Sequence, residues 1–230
     1  MISGREYKYK GRGDINSYLD KLIAPSVSVS EYRDSMYCLG KYLAETLLSK
    51  LNPDESYCIV STAEDADFLS KGLIEVLRSR VKDLKIACFW NFHSQPVKGG
   101  ESTAPILRKF IEKGAEAADN LIVTKSVISG SCVVKTNLTA LIENMSPRSI
   151  YVVAPVMHKD ATTKLAREFP PGISQKFDYE YFATDVERDP ETNEVIPGIG
   201  GNVYQLLGFQ SQTQKNRYMP EILNDMIFGR

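Results

Sequence analysis

Asn120-Leu-Ile-Val-Thr124-Lys-Ser-Val-Ile128-Ser129-Gly130-Ser131-Cys132-Val-Val-Lys-Thr136 is the stretch whose reading decides the fold. An apolar run of strand length feeds small hydroxyl residues and a glycine, and these open a helical stretch. That order builds a cradle for a phosphate. N–H groups at a helix N-terminus point at the anion, the helix dipole favours it, and serine hydroxyls add donors. A site that handles a magnesium-bound sugar diphosphate places carboxylates just after the strand. Here those positions are Thr124 and Lys125. The stretch predicts a phosphorylated ligand and speaks against the usual metal chemistry beside it.

Outward from this point, short buried strands alternate with helical patterns. Residues 30 to 51 carry Met36, Leu39, Leu43, Leu47 and Leu48 at helical spacing. Tyr57-Cys-Ile-Val60 reads as a strand ending in Ser61-Thr62-Ala63-Glu64-Asp65, and Phe68 to Val81 as a helix. Lys85 to Trp90 is a second strand. Asn91 to Glu101, with Pro96, Gly99 and Gly100, reads as a mobile loop. Ile106 to Ala118 is predicted helical, followed by the Leu121 strand and a helix from Val133 to Met145. Ser149 to Ala154 is a strand, Lys159 to Phe169 a helix, Phe177 to Thr184 a strand, and Asp185 to Glu194 a charged hairpin connection. The pattern predicts an α/β fold with a mostly parallel sheet flanked by helices. Ligands of such sheets bind at the carboxyl ends of the strands, where Ser61–Asp65, the Asn91 loop and Thr124–Cys132 all fall.

Composition bounds the function. With 230 residues the chain holds one large or two small domains. A net charge of −1 gives no reason to expect nucleic acid or a membrane surface as partner. Cys38, Cys58, Cys88 and Cys132 are scattered without a C-x-x-C pair, which predicts reduced thiols in a cytoplasmic protein. No signal peptide and no run of membrane-spanning length is visible in the sequence. Residues 1–25 read as an N-terminal arm, basic and aromatic at its start, with Tyr7 and Tyr9. Residues 26–209 read as the main domain. Residues 210–230 read as an extension with an amphipathic helix from Pro220.

Taken with the run Val195-Ile-Pro-Gly-Ile-Gly200-Gly-Asn-Val-Tyr-Gln-Leu-Leu-Gly208-Phe209, this order resembles the uracil phosphoribosyltransferases, a family of type I phosphoribosyltransferases. The resemblance spans roughly residues 26 to 209. It implies a type I phosphoribosyltransferase-like fold with a C-terminal base-binding hood, in which Ile196, Gly198, Gly200 and Gly201 cover the base. The family's phosphate loop, Asp-Pro-Met-Leu-Ala-Thr-Gly-Gly-Ser, falls on Thr124 to Cys132. Ser129, Gly130, Ser131 and Cys132 then take the phosphate positions, and Thr124 and Lys125 the ribose and metal side. The pyrophosphate loop falls on Ser61, Thr62, Glu64 and Asp65, with Glu64 where the family has an arginine. A carboxylate facing a pyrophosphate reverses the sign of that interaction. Gly201 and Tyr204 stand where the family has acids in the base-binding segment.

The sequence thus predicts a uracil-phosphoribosyltransferase-like protein with a degenerate active site. It would bind a nucleotide or 5′-phosphoribosyl ligand in a regulatory or scaffold role, as a homodimer in the cytoplasm. Two alternatives stay open. One is an active transferase making a nucleoside monophosphate from a base and phosphoribosyl pyrophosphate, in which case Mg2+ is required. The other is a pure protein-interaction module using Phe89–Phe92 and Pro220–Phe228. No catalytic residue and no metal site is predicted. His93 reads as a loop histidine, His158 as a cap or surface group, and Cys132 as a substituted serine rather than a nucleophile.

Overall fold

The computed structural model describes residues 4–94 and 102–229. The predicted mobile loop therefore lies largely outside the described residues. The chain opens with β1 (Arg5–Tyr7) and α1 (Gly13–Leu22), then α2 (Val29–Leu47), which starts on a Ser28–Glu31 capping box. β2 (Ser56–Thr62) leads into α3 (Ala63–Asp65), a π-helical turn (Ala66–Ser70) and α4 (Lys71–Leu77). β3 (Asp83–Asn91), β4 (Ile106–Ile111), a 3₁₀ turn (Ala115–Ala117), β5 (Asn120–Thr124) and β6 (Val127–Ile128) follow, then α5 (Cys132–Ile142). After β7 (Ser149–His158) come α6 (Ala161–Arg167), α7 (Pro171–Ser174) and β8 (Phe177–Asp185). β9 (Glu187–Arg188) and β10 (Val195–Ile196) form a hairpin, and α8 (Val203–Leu206), α9 (Gln212–Arg217) and α10 (Glu221–Phe228) end the chain.

The main sheet runs β1-β8-β7-β5-β2-β3-β4, with β6 added beside β7. Its centre is parallel, and the two edge strands β1 and β4 are antiparallel. Both faces are covered, so the inner strands read as apolar runs rather than as alternation. Alternate residues still divide between two cores. Ile59, Ile122 and Val153 join α1, α2 and α4, while Val60, Val123 and Val152 join α5 and α6. The expected α/β fold with a mostly parallel sheet flanked by helices is the one observed.

Two expectations need correction. Residues 106–118 do not form the expected helix: Ile106–Ile111 pairs with β3 as an edge strand, and only Ala115–Ala117 turns, as 3₁₀. Its apolar residues at 106, 107, 110 and 111 fit a helix on spacing alone, and the open edge of β3 decides otherwise. The N-terminal segment is not a surface arm either. β1 pairs with β8, and Ile15, Leu19 and Leu22 of α1 are buried in the core. Tyr9 donates its hydroxyl to the buried Glu180 at 2.7 Å and meets Phe182 edge-on.

Two contacts fix the parts that build the cleft described below. Gly40 of α2 and Gly72 of α4 lie where the helices touch. A Cβ on Gly40 would stand 2.0 Å from the Leu69 carbonyl, and one on Gly72 would stand 2.1 Å from that of Tyr37. Only glycine allows this approach, which seats the π-helical turn and the end of β2. At the other edge, Asp185 accepts from Arg5 Nε and Nη2, each at 2.8 Å, and from the Gly198 amide at 2.8 Å. Both side chains of this ion pair are fully buried. Replacing Asp185 by Ala strands the guanidinium in the interior. Chemical denaturation should then show a loss of about 3–5 kcal/mol. A loss under about 1 kcal/mol, the value of an exposed pair, would contradict the role given to this clamp.

Candidate functional site

The parallel order β5-β2-β3 brings three strand ends together. Thr62 pairs with Phe89, and Val60 with Val123, so the residues that leave the sheet next are neighbours: Glu64 and Asp65, His93, and Lys125. β6 and the Ser129–Ser131 turn then carry the chain to the N-terminus of α5. Above these ends lies a cleft of about 1020 Å³. Glu64, His93, Lys125, the 127–136 run, Arg188, Ile199, Gly201–Tyr204, Gln212 and Lys215 are on its lining.

The Ser129–Ser131 turn leads into the N-terminus of α5 on the cleft lining. Among the described residues, the backbone amides of Gly130, Ser131 and Cys132 have no hydrogen-bond acceptor. A Cβ on Gly130 would meet nothing within 4 Å, so the turn faces open space. Its outer side is held by charges. Ser131 Oγ donates to Glu168 Oε1 at 2.8 Å, Lys135 donates to the same carboxylate, and Arg188 donates to the Ser129 carbonyl. Cys132 Sγ sits 3.2 Å from the Ser102 carbonyl. Burial pushes the Cys132 thiol above its ordinary pKa and outweighs its place at a helix N-terminus.

The other predicted residues divide. Thr124 does not face the cleft. Its hydroxyl is buried in a chain with Ser70 (2.7 Å) and Ser61, and also donates to the Val60 carbonyl at 3.2 Å. Ser61 is spent in the same chain, and Thr62 Oγ1 donates to Asp65 Oδ2 at 2.8 Å. Of the base-binding set, Gly201 lines the cleft, while Ile196, Gly198 and Gly200 build the turn behind it. Gly200 has φ +90°, and a Cβ there would meet the Leu22 carbonyl at 2.4 Å. Phe89 and Trp90 are buried, and Trp90 Nε1 donates to the Tyr218 carbonyl at 2.7 Å, so only Phe92 of the expected aromatic surface is exposed. The C-terminal helix docks on its own chain. Asp67 accepts from the amides of Glu221 (2.7 Å) and Ile222 (3.0 Å), which caps α10 from outside.

The Glu64 carboxylate is answered from two directions. Lys125 Nζ lies 2.6 Å from Asp65 Oδ2 and 3.4 Å from Glu64 Oε1. Lys215 of α9 lies 3.6 Å from Glu64 Oε2 and donates to the Asn91 carbonyl at 2.7 Å. All four side chains are at least nine-tenths buried. Burial would raise the Glu64 pKa, but the two ammoniums outweigh it and hold the group below the ordinary carboxylate value. Burial lowers the Lys125 pKa, and the carboxylates of Asp65 and Glu64 more than reverse that. For Lys215 burial wins and its pKa is lowered. His93 is lowered by burial and then by both lysines.

Sequence reasoning missed Lys215 and its supports. Gln212 exchanges two hydrogen bonds with the His93 backbone, at 3.0 and 2.7 Å, and so clamps α9 to the end of β3. Asn91 and Asn137 pair side chain to side chain at 2.8 and 3.0 Å beneath it. Nothing in Gln212-Thr-Gln-Lys-Asn-Arg217 marks one lysine as buried. Magnesium does not fit the Glu64–Asp65 pair, whose carboxylates already face ammoniums at close range. Among the described residues no group of three or more His, Cys, Asp or Glu side chains is placed to hold a metal. No helix among them is long and apolar enough to cross a membrane.

No family model and no curated protein matches the chain. Solved structures do. The AQ2163 protein of Aquifex aeolicus is similar over 87% of this chain and 96% of that one, with a TM-score of 0.69 and 14% identity, and shares the fold. TT1426 from Thermus thermophilus aligns over 80% of this chain and 95% of that one, with a TM-score of 0.42 and 10% identity. The hypoxanthine-guanine phosphoribosyltransferase of L. donovani aligns over 70% and 82%, with a TM-score of 0.40 and 12% identity.

Replacing Lys125 by Met leaves two buried carboxylates with one distant cation. At pH 7 the variant should lose about 3–5 kcal/mol of unfolding free energy. The sign of the pH dependence follows from Glu64. Its lowered pKa in the fold gives the wild type stability that is present above the ordinary value of 4.5 and is lost as pH falls through the folded value. Without Lys125, burial dominates and protonation relieves the fold. Urea titrations from pH 7 down to about 4 should show the gap between the two proteins narrowing. A gap that widens toward acid would contradict the cluster as described.

Proposed function

We propose that this chain is a phosphoribosyltransferase-like protein that binds a nucleoside monophosphate, or another 5′-phosphorylated ribose compound, without transferring it. The observation that carries the reading is the open turn at Gly130–Cys132: three amides without acceptors among the described residues, at the N-terminus of an 11-residue helix, on the wall of a cleft large enough for a nucleotide. The Ile196-Pro-Gly-Ile-Gly200 resemblance favours a pyrimidine as the base, and Gly201, Val203 and Tyr204 on the cleft lining supply a surface to cover it.

Transfer from phosphoribosyl pyrophosphate runs on cations and a metal that neutralise the departing diphosphate. At the pyrophosphate-loop position this chain has two carboxylates and two lysines, whose charges cancel, and at the ribose and metal position a buried threonine. A regulatory or scaffold role, in which ligand occupancy is the signal, is the reading that suits such a site.

Calorimetric titration with uridine 5′-monophosphate tests the reading. Binding is expected for the wild type. Gly130→Glu places a carboxylate in the cradle, where the added side chain has room, so binding should fall at least ~10-fold while the melting temperature stays near wild type. Release of pyrophosphate from phosphoribosyl pyrophosphate and uracil would overturn the non-catalytic part. Equal binding by Gly130→Glu would overturn the cradle.

A further inference from the structure

The cleft has a second polar feature besides its cradle. Glu64 is 6% exposed and lines the cleft, and its Oε2 has no hydrogen-bond donor among the described residues. Lys215 Nζ stands 3.6 Å away, beyond the reach of a direct hydrogen bond. Lys215 is itself 3% exposed and lines the same cleft, with one of its three donors spent on the Asn91 carbonyl. A buried carboxylate oxygen left without a donor costs free energy, whereas Asp65 beside it accepts from Thr62 and Lys125.

The separation suits a third party. Two polar atoms 3.6 Å apart can both be touched by a single oxygen at ordinary hydrogen-bond distance from each. A hydroxyl does this with both of its capacities: it donates to Glu64 Oε2 and accepts from Lys215 Nζ. A phosphate ester does not, because with a second pKa of about 6 it is mostly the unprotonated dianion at neutral pH, and it meets Glu64 as a like charge in a water-poor site.

We infer that the Glu64–Lys215 pair is a hydroxyl-reading subsite, and that the cleft takes 5′-phosphorylated ribose compounds, nucleoside monophosphates among them, that bring a free ribose hydroxyl to this pair, rather than sugar diphosphates. This rests on the cradle reading above and adds the ligand's other end. The position that the family resemblance assigns to a pyrophosphate becomes a selector for its absence. Lys215 comes from α9, so the C-terminal extension is part of the site, held in place by Gln212 on the His93 backbone.

Three probes on the wild-type protein decide the matter: inorganic phosphate, ribose 5-phosphate, and phosphoribosyl pyrophosphate with magnesium, each by calorimetry. Ribose 5-phosphate should bind at least ~10-fold tighter than phosphate, the size expected of a hydrogen bond to a charged group, and also tighter than the diphosphate. Glu64→Gln turns half of the acceptor into a donor, and Lys215→Met removes the other side. Each should lose ~10-fold for ribose 5-phosphate and leave inorganic phosphate unchanged. The wild-type ranking stands even where a variant fails to fold. Phosphate and ribose 5-phosphate binding equally, or the diphosphate binding tightest, overturns the inference while leaving the cradle intact. No binding of phosphate or of either sugar phosphate overturns the cradle reading, and this inference with it.

Discussion

Two buried carboxylates and two buried lysines, from three distant parts of the chain, meet at the carboxyl ends of β2, β3 and β5. The rest of the site depends on that meeting. Glu64 and Asp65 enter because α3 follows β2 without a break, and Lys125 enters because β5 lies next to β2. Lys215 enters only because the C-terminal extension folds back over the sheet. Burying four charges carries a desolvation cost that close pairing offsets only in part. The Lys125–Asp65 contact at 2.6 Å is close, and the Lys215–Glu64 contact at 3.6 Å is loose. The loose half faces the cleft, where a ligand can complete it.

On the proposed reading, this arrangement lets one cleft carry a phosphate cradle without a diphosphate site. The cradle is made of backbone amides at the start of α5, which need only a glycine and small neighbours. A diphosphate site needs net positive charge and a metal, and these depend on particular side chains. Substitution at a few positions removes the second and leaves the first. Arg188 and Glu168 brace the cradle from the β9–β10 hairpin and the end of α6, so its shape does not depend on the neutralised floor.

Much of the fold was legible because buried parallel strands announce themselves as apolar runs, as in Tyr57–Val60, Leu121–Val123 and Ser149–Ala154. The β4 edge strand was not, since Ile106, Leu107, Phe110 and Ile111 have the spacing of a helix and only a neighbour's open edge makes them a strand. The N-terminal segment looked like an arm because its core contacts, Arg5 with Asp185 and Tyr9 with Glu180, join residues more than 170 positions apart. In the site, Ser129–Cys132 could be read from local order alone. That Thr124 points inward could not, because its partners Ser70 and Val60 belong to other elements. Lys215 was invisible for the same reason: a lysine in a polar run is read as solvated, and its burial is a property of the whole chain.

The central claim is that the amides of the Gly130–Cys132 turn hold a phosphate. Titration of the wild-type protein with uridine 5′-monophosphate, followed in the assigned amide NMR spectrum, tests it most directly. The account predicts that the largest shifts fall on Gly130, Ser131 and Cys132, with Glu64 and its neighbours moving in the same titration. Shifts confined to surfaces away from the cleft, or a spectrum that does not change, would contradict it.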